Sequence, residues 1–221
     1  MKVVAISLSL LMVVVLSAGR ALADTLYSDG PADGTTRGVF MCGPGCSVEG
    51  NQTISDGFVA SASGNVAILD FTEWVPYNTT PTSIAWSLGT TAFASNISNG
   101  STPLVNSTFQ FLNSDGYEVY NVEVTGLSGN LVAGQTYYLT LGGANDSGGT
   151  QMDAWDVNDG PATCTYASGG VPQGSCGFGG ETFTLSSNST TATPEPGSLM
   201  LLGSSVLGFA GVLRRKFARS L

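Results

Sequence analysis

The 221-residue chain has no histidine, and between Asp24 and Ala192 it has no lysine and a single base, Arg37. Without histidine, lysine or a free thiol the usual general bases and nucleophiles are missing, so no catalytic residue is named and no enzyme is expected. Fifteen acidic residues fall in the same interval, which gives it a formal balance of −14 against −9 for the whole chain. A stretch so short of cations cannot neutralise phosphates, which excludes nucleic acid as a partner and an anionic membrane surface as a docking site. Long runs of Glu, Lys, Leu and Ala, the strong helix formers, are absent from it as well.

What the interval does contain is dense Gly, Ser, Thr and Asn, with Val, Phe, Tyr and Trp in short runs. That composition predicts an all-β domain with polar turns. Apolar-rich runs recur at residues 54–60, 66–74, 83–88, 108–112, 117–125, 136–141 and 181–185. In the fifth of these Tyr120, Val122 and Val124 alternate with Asn121 and Glu123, the period of a half-buried strand. The spacing predicts an antiparallel β-sandwich of about eight to nine strands over residues 24–185, followed by a Ser/Thr/Asn-rich linker over 186–193.

The two ends read differently from the middle. Met1-Lys2, an apolar run from Val3 to Ala18 and the small-x-small triplet Ala21-Leu22-Ala23 have the layout of a secretory signal peptide, residues 1–23. Cleavage after Ala23 delivers the chain through the secretion machinery. At the other end, residues 199–213 carry no charge and as a helix would span about 22 Å at roughly 1.5 Å per residue. Snorkelling from Arg214, Arg215 and Lys216 makes up part of the difference from a bilayer core of about 30 Å. The basic cluster places residues 217–221 on the cytoplasmic side and the sandwich outside. The fold expected is therefore a sandwich flanked by a signal helix and a single transmembrane helix.

The order Pro194-Glu195-Pro196, apolar helix, Arg214-Arg215-Lys216 resembles the PEP-CTERM sorting signal of Gram-negative bacteria, over residues 194–216. The resemblance implies recognition by an exosortase, a membrane-embedded transpeptidase-like enzyme that cuts near Pro-Glu-Pro. The prolines keep that segment extended and open to a protease. It also implies localisation in two stages, anchored in the inner membrane before processing and at the cell surface or outside the cell afterwards. The middle of the chain is similar to a domain found in such exported proteins, through "DTLYSDGP", "ISDGFVAS", "PTSIAWSL", "GQTYYLTLGGA" and "MDAWDVNDGP". That second resemblance implies a β-sandwich and no known chemistry. The Cys42–Cys46 insertion departs from it.

Four cysteines allow three pairings. Cys42–Cys46 and Cys164–Cys176 are favoured, because each would close a short Gly/Pro-rich turn in an oxidising compartment. Zinc is disfavoured by the C-x3-C spacing and the lack of histidine. Asp153, Asp156, Asn158 and Asp159 form the densest polar group, and calcium is the metal their oxygens would suit. The spacing lacks one residue of the usual calcium loop, so a polar turn with Trp155 packed on the sandwich is the preferred reading and no cofactor is assigned. Asp70 and Glu73 fall within one strand, where nothing in the sequence suggests a raised pKa. The functional expectation is a non-catalytic surface or extracellular-matrix protein, associated with exopolysaccharide. The alternative is a carbohydrate-binding module that uses exposed aromatics among Trp74, Tyr77, Trp86, Tyr138 and Trp155.

Overall fold

The computed structural model describes residues 23–32, 38–41, 52–103, 106–149, 153–158, 160–177 and 179–188. The signal segment, the Cys42–Cys46 loop, Asp159, the linker beyond residue 188 and the C-terminal sorting segment lie outside the described residues.

Among the described residues the chain is all β, with fourteen strands rather than eight or nine. In chain order they are β1 (Thr25–Ser28), β2 (Gly38–Phe40), β3 (Gln52–Val59), β4 (Gly64–Pro76), β5 (Pro81–Gly89), β6 (Ser98–Pro103) and β7 (Asn106–Leu112). They continue with β8 (Tyr117–Thr125), β9 (Asn130–Leu131), β10 (Thr136–Asp146), β11 (Ala154–Asp156), β12 (Thr163–Ser168), β13 (Val171–Ser175) and β14 (Phe183–Ser187). The extra strands are short or poor in apolar residues. β6 reads SNGSTP and β13 reads VPQGS, and their partners' hydrogen bonds hold them, not an apolar face. The expected turn between Cys164 and Cys176 is a β-hairpin, β12 against β13. No helix long and apolar enough to cross a membrane occurs among the described residues.

Two antiparallel sheets result. One has eight strands built around the long β4. Along one edge β4 pairs first with β14, which carries β1, and then with β11, which carries β2; along the other it pairs with β8, which carries β7. The second sheet runs β13-β12-β3-β10-β5-β6. Asp24–Asn188 forms one compact unit.

The core lies between the inner faces, and strand alternation fills it. β4 contributes Leu69, Phe71 and Val75; β8 contributes Tyr120, Val122 and Val124; β3 contributes Ile54 and Phe58; β10 contributes Tyr137, Leu139 and Leu141. Each such side chain is worth roughly 1.5–3 kcal/mol on burial. A smaller cluster of Trp74, Val119 and Ala154, with Phe40 and Tyr117 against it, covers the outer face of β4.

Candidate functional site

The chain from Asp153 to Asn158 runs through the sandwich, with β11 wedged between β4 and β2. Its side chains alternate between the two faces of the sheet. Trp155 turns inward and is fully buried, edge-on to Phe71 at 6.3 Å and tilted on Phe183 at 5.7 Å. Its indole N–H donates to the Thr182 carbonyl at 2.9 Å. Asp156 turns outward under Trp74, whose indole N–H donates to Asp156 Oδ1 at 2.7 Å. Asn158 donates through its side-chain amide to the Asp29 carbonyl and accepts the Gly160 N–H at 2.9 Å. Asp153 joins Asp146 and Glu73. The residues named for calcium are thus held by different partners, Asp153 by Asp146, Asp156 by Trp74 and Asn158 by Asp29, while Asp159 lies outside the described residues.

Around this segment the structure collects two groups of buried carboxyls, each reaching from one sheet to the other. In the first, Glu73 on β4 shares the inward face of Leu69, Phe71 and Val75 and lies opposite Tyr120 and Trp155 in the ladders. Asp146 ends β10 of the other sheet, and Asp153 precedes β11. Glu73 and Asp153 are fully buried, and no N–H or O–H of the described residues reaches either carboxyl. Asp153 is close enough to Asp146 to share a proton with it. Burial, reinforced by Asp153 and Asp146, holds Glu73 well above the usual carboxylate range. Burial and then the Asp146 charge push Asp153 up to about 8. At neutral pH both are favoured as neutral acids, the form that a dry site without donors prefers.

In the second group Asp56, on the inward face of β3 between Ile54 and Phe58, meets Asp29 beyond β1 and Glu181 before β14. Here donors are present. The Tyr27 hydroxyl donates to Asp29 Oδ1 at 2.9 Å, and the Glu181 N–H donates to Asp56 Oδ2 at 2.7 Å. Burial raises Asp29, while these contacts and the Ala162 backbone pull it back down. Asp56 and Glu181 are both raised, by burial first and, for Glu181, then by the charge of Asp56. Tyr27 is raised far above its ordinary value by burial and by Asp29.

The Cys164–Cys176 disulfide borders the second group. Cys164 is in register with Asp56, and both sulfurs lie within 4.8 Å of a Glu181 carboxylate oxygen. The sulfurs are bonded to each other, so no thiolate is offered to a metal there. Among the described residues no cysteine is free.

Sequence reasoning missed Asp29, Asp56, Asp146 and Glu181, and found no sign of perturbation at Glu73. The signal was an acid at a core-facing place in an apolar alternation: Ile54-Asp56-Phe58 and Leu69-Phe71-Glu73-Val75. Of the aromatics named for glycan binding, Trp74, Trp86 and Trp155 are buried, Tyr138 is half-buried and only Tyr77 is exposed. The other exposed aromatics are Phe109 and Phe111 on β7.

No curated protein matches the chain. Residues 192–216 match the family model of the PEP-CTERM protein-sorting motif, which marks this chain as an exported, exosortase-sorted protein of the Gram-negative type.

Proposed function

We propose that this is a non-catalytic surface or extracellular-matrix protein. An exosortase cuts it near Pro194-Glu195-Pro196, and exopolysaccharide retains it after release. The sorting motif over residues 192–216 is the observation that carries the reading. Residues 199–213 hold the chain in the inner membrane until cleavage, with Arg214, Arg215 and Lys216 on the cytoplasmic side. The absence of catalysis is supported by chemistry. The chain has no histidine, and Asp56, Glu73, Asp153 and Glu181 are sealed from any substrate. No cofactor for a reaction is assigned.

The test is co-expression with an exosortase and intact-mass measurement of the released protein. The mature chain should lose everything after about Glu195, and Pro194→Ala with Pro196→Ala should leave it in the membrane. Released wild-type protein with its C-terminal segment intact would overturn the reading. The carbohydrate-binding alternative now rests on Tyr77, Phe109 and Phe111, the aromatics the fold leaves exposed. Retention on insoluble polysaccharide that disappears in Phe109→Ser and Phe111→Ser would establish it.

A further inference from the structure

We propose that Asp29, Asp56 and Glu181 form a calcium site that clamps the two sheets of the sandwich together. The three carboxyls arrive from separate parts of the chain, with Asp56 on one sheet and Asp29 and Glu181 on the other. The Asp56 and Glu181 carboxyls approach to hydrogen-bonding distance, and Asp29 acts electrostatically on both.

The observation that points to a ligand is Glu181. Its side chain is 0% exposed, it is aimed at Asp56, and neither of its oxygens meets an N–H or O–H among the described residues. Asp29 Oδ2 and Asp56 Oδ1 are likewise buried without a donor. Four carboxylate oxygens therefore converge with nothing to balance them, an arrangement that costs several kcal/mol per ion unless a cation supplies the balance. The chain does not supply it: the only base between residues 24 and 192 is Arg37, one charge against two groups of acids.

The other oxygens are already fixed as acceptors. The Tyr27 hydroxyl holds Asp29 Oδ1 and the Glu181 N–H holds Asp56 Oδ2, so each carboxylate presents its remaining oxygen in a set direction. Backbone also closes tightly around Asp29. A Cβ at Gly160 or at Gly180 would overlap its carboxylate, so both positions require glycine for the cradle to form. Donors of this kind stabilise the charged form of the acids, which is the form a metal needs.

The donor set selects the ion. All-oxygen ligation suits calcium or magnesium. Zinc would want imidazole or thiolate, and the chain has no histidine while the neighbouring sulfurs are bonded together. Magnesium keeps several waters and sheds them reluctantly, whereas calcium accepts a buried, irregular set of carboxylates. The motif-directed export also takes the domain to a compartment where calcium is abundant.

The test uses the full chain, purified in detergent and stripped with EDTA. Titration calorimetry should return one Ca2+ per chain, bound in preference to Mg2+. At free Ca2+ a hundredfold above the dissociation constant, the folding equilibrium should shift about a hundredfold beyond an ionic-strength-matched NaCl control. Amide hydrogen exchange should slow in peptides covering residues 25–30, 52–59 and 179–185. Asp56→Asn and Glu181→Gln should abolish binding, and Glu73→Gln should keep it. No calcium-specific heat or stabilisation would mean that the trio holds shared protons instead, which overturns the proposal. Binding that persists in both variants, or protection that maps to other peptides, also overturns it. The exchange measurement is made on the native sequence, so it locates the ion even where a variant fails to fold.

Discussion

The two carboxyl groups of the sandwich are made of the same residue types and bridge the same two sheets, yet they are provided for differently. Around Asp29, Asp56 and Glu181 the fold places a tyrosine hydroxyl and a backbone N–H on the acids. Around Glu73 and Asp153 it places none among the described residues, and aromatic neighbours Tyr120 and Trp155 take their place in the ladder. Donors favour the carboxylate and apolar walls favour the acid. One group is thereby prepared for a cation and the other for protons. Burial alone does not tell a metal site from a neutral acid; what the second oxygen of each carboxyl touches does.

The largest effect should come from pH, because it acts on the protonated group. Glu73 and Asp153 are raised in the folded state above ordinary values of 4.5 and 3.8. Their stabilising contribution is fully present below those unfolded values and is lost as pH rises through the folded ones, which for Asp153 is about 8. Between about pH 4 and pH 8 the domain should therefore lose stability, each such group contributing at most about 1.4 kcal/mol per pH unit. Urea denaturation at fixed ionic strength and saturating calcium measures the slope. Glu73→Gln should flatten it, since a neutral amide has nothing to ionise. A slope that is the same in wild type and Glu73→Gln would erase the distinction between the two groups.

Next in size is Trp155, which lies between them. It pairs with Glu73 in the ladder and, through its indole N–H, holds the Thr182 carbonyl next to Glu181. Trp155→Ala should cost about 3–5 kcal/mol as a buried large-to-small change. Trp155→Phe keeps most of the packing and should cost less, leaving the Thr182 carbonyl without its donor. Denaturation midpoints of the three proteins order the effects. Equal losses for Ala and Phe would shift the weight from packing to the hydrogen bond.

The strands with clean alternation were legible in the sequence, and residues 117–125 coincide with β8. Short strands such as β6 and β13 were not, because partner hydrogen bonds stabilise them and no apolar period marks them. The polar group at 153–159 was visible as a cluster, but the sequence gives no sign of which face each residue takes. Once Ala154–Asp156 is a strand, period two sends Trp155 to the core and Asp156 to Trp74. The Asp29–Asp56–Glu181 group was the least visible part, since sheet pairing alone assembles it from residues as much as 152 apart in number. The disulfide at Cys164–Cys176 was readable from loop length and compartment.

That disulfide gives the smallest and most discriminating effect. It spans a sequence separation of 12, and on chain-entropy grounds a loop of this size is worth about 2–3 kcal/mol. It also sits beside one carboxyl group only. Cys164 is in register with Asp56, and the sulfurs approach Glu181, whereas Glu73 and Asp153 belong to β4 and the entry to β11. Replacing both cysteines by serine should therefore lower the denaturation midpoint by that amount and weaken calcium binding. The pH slope between about 4 and 8 should keep its wild-type value, because neither group responsible for it is touched. If the slope changes with the midpoint, the two groups behave as one coupled network across the core. If calcium affinity is unchanged, the hairpin β12–β13 positions Asp56 without help from its bridge.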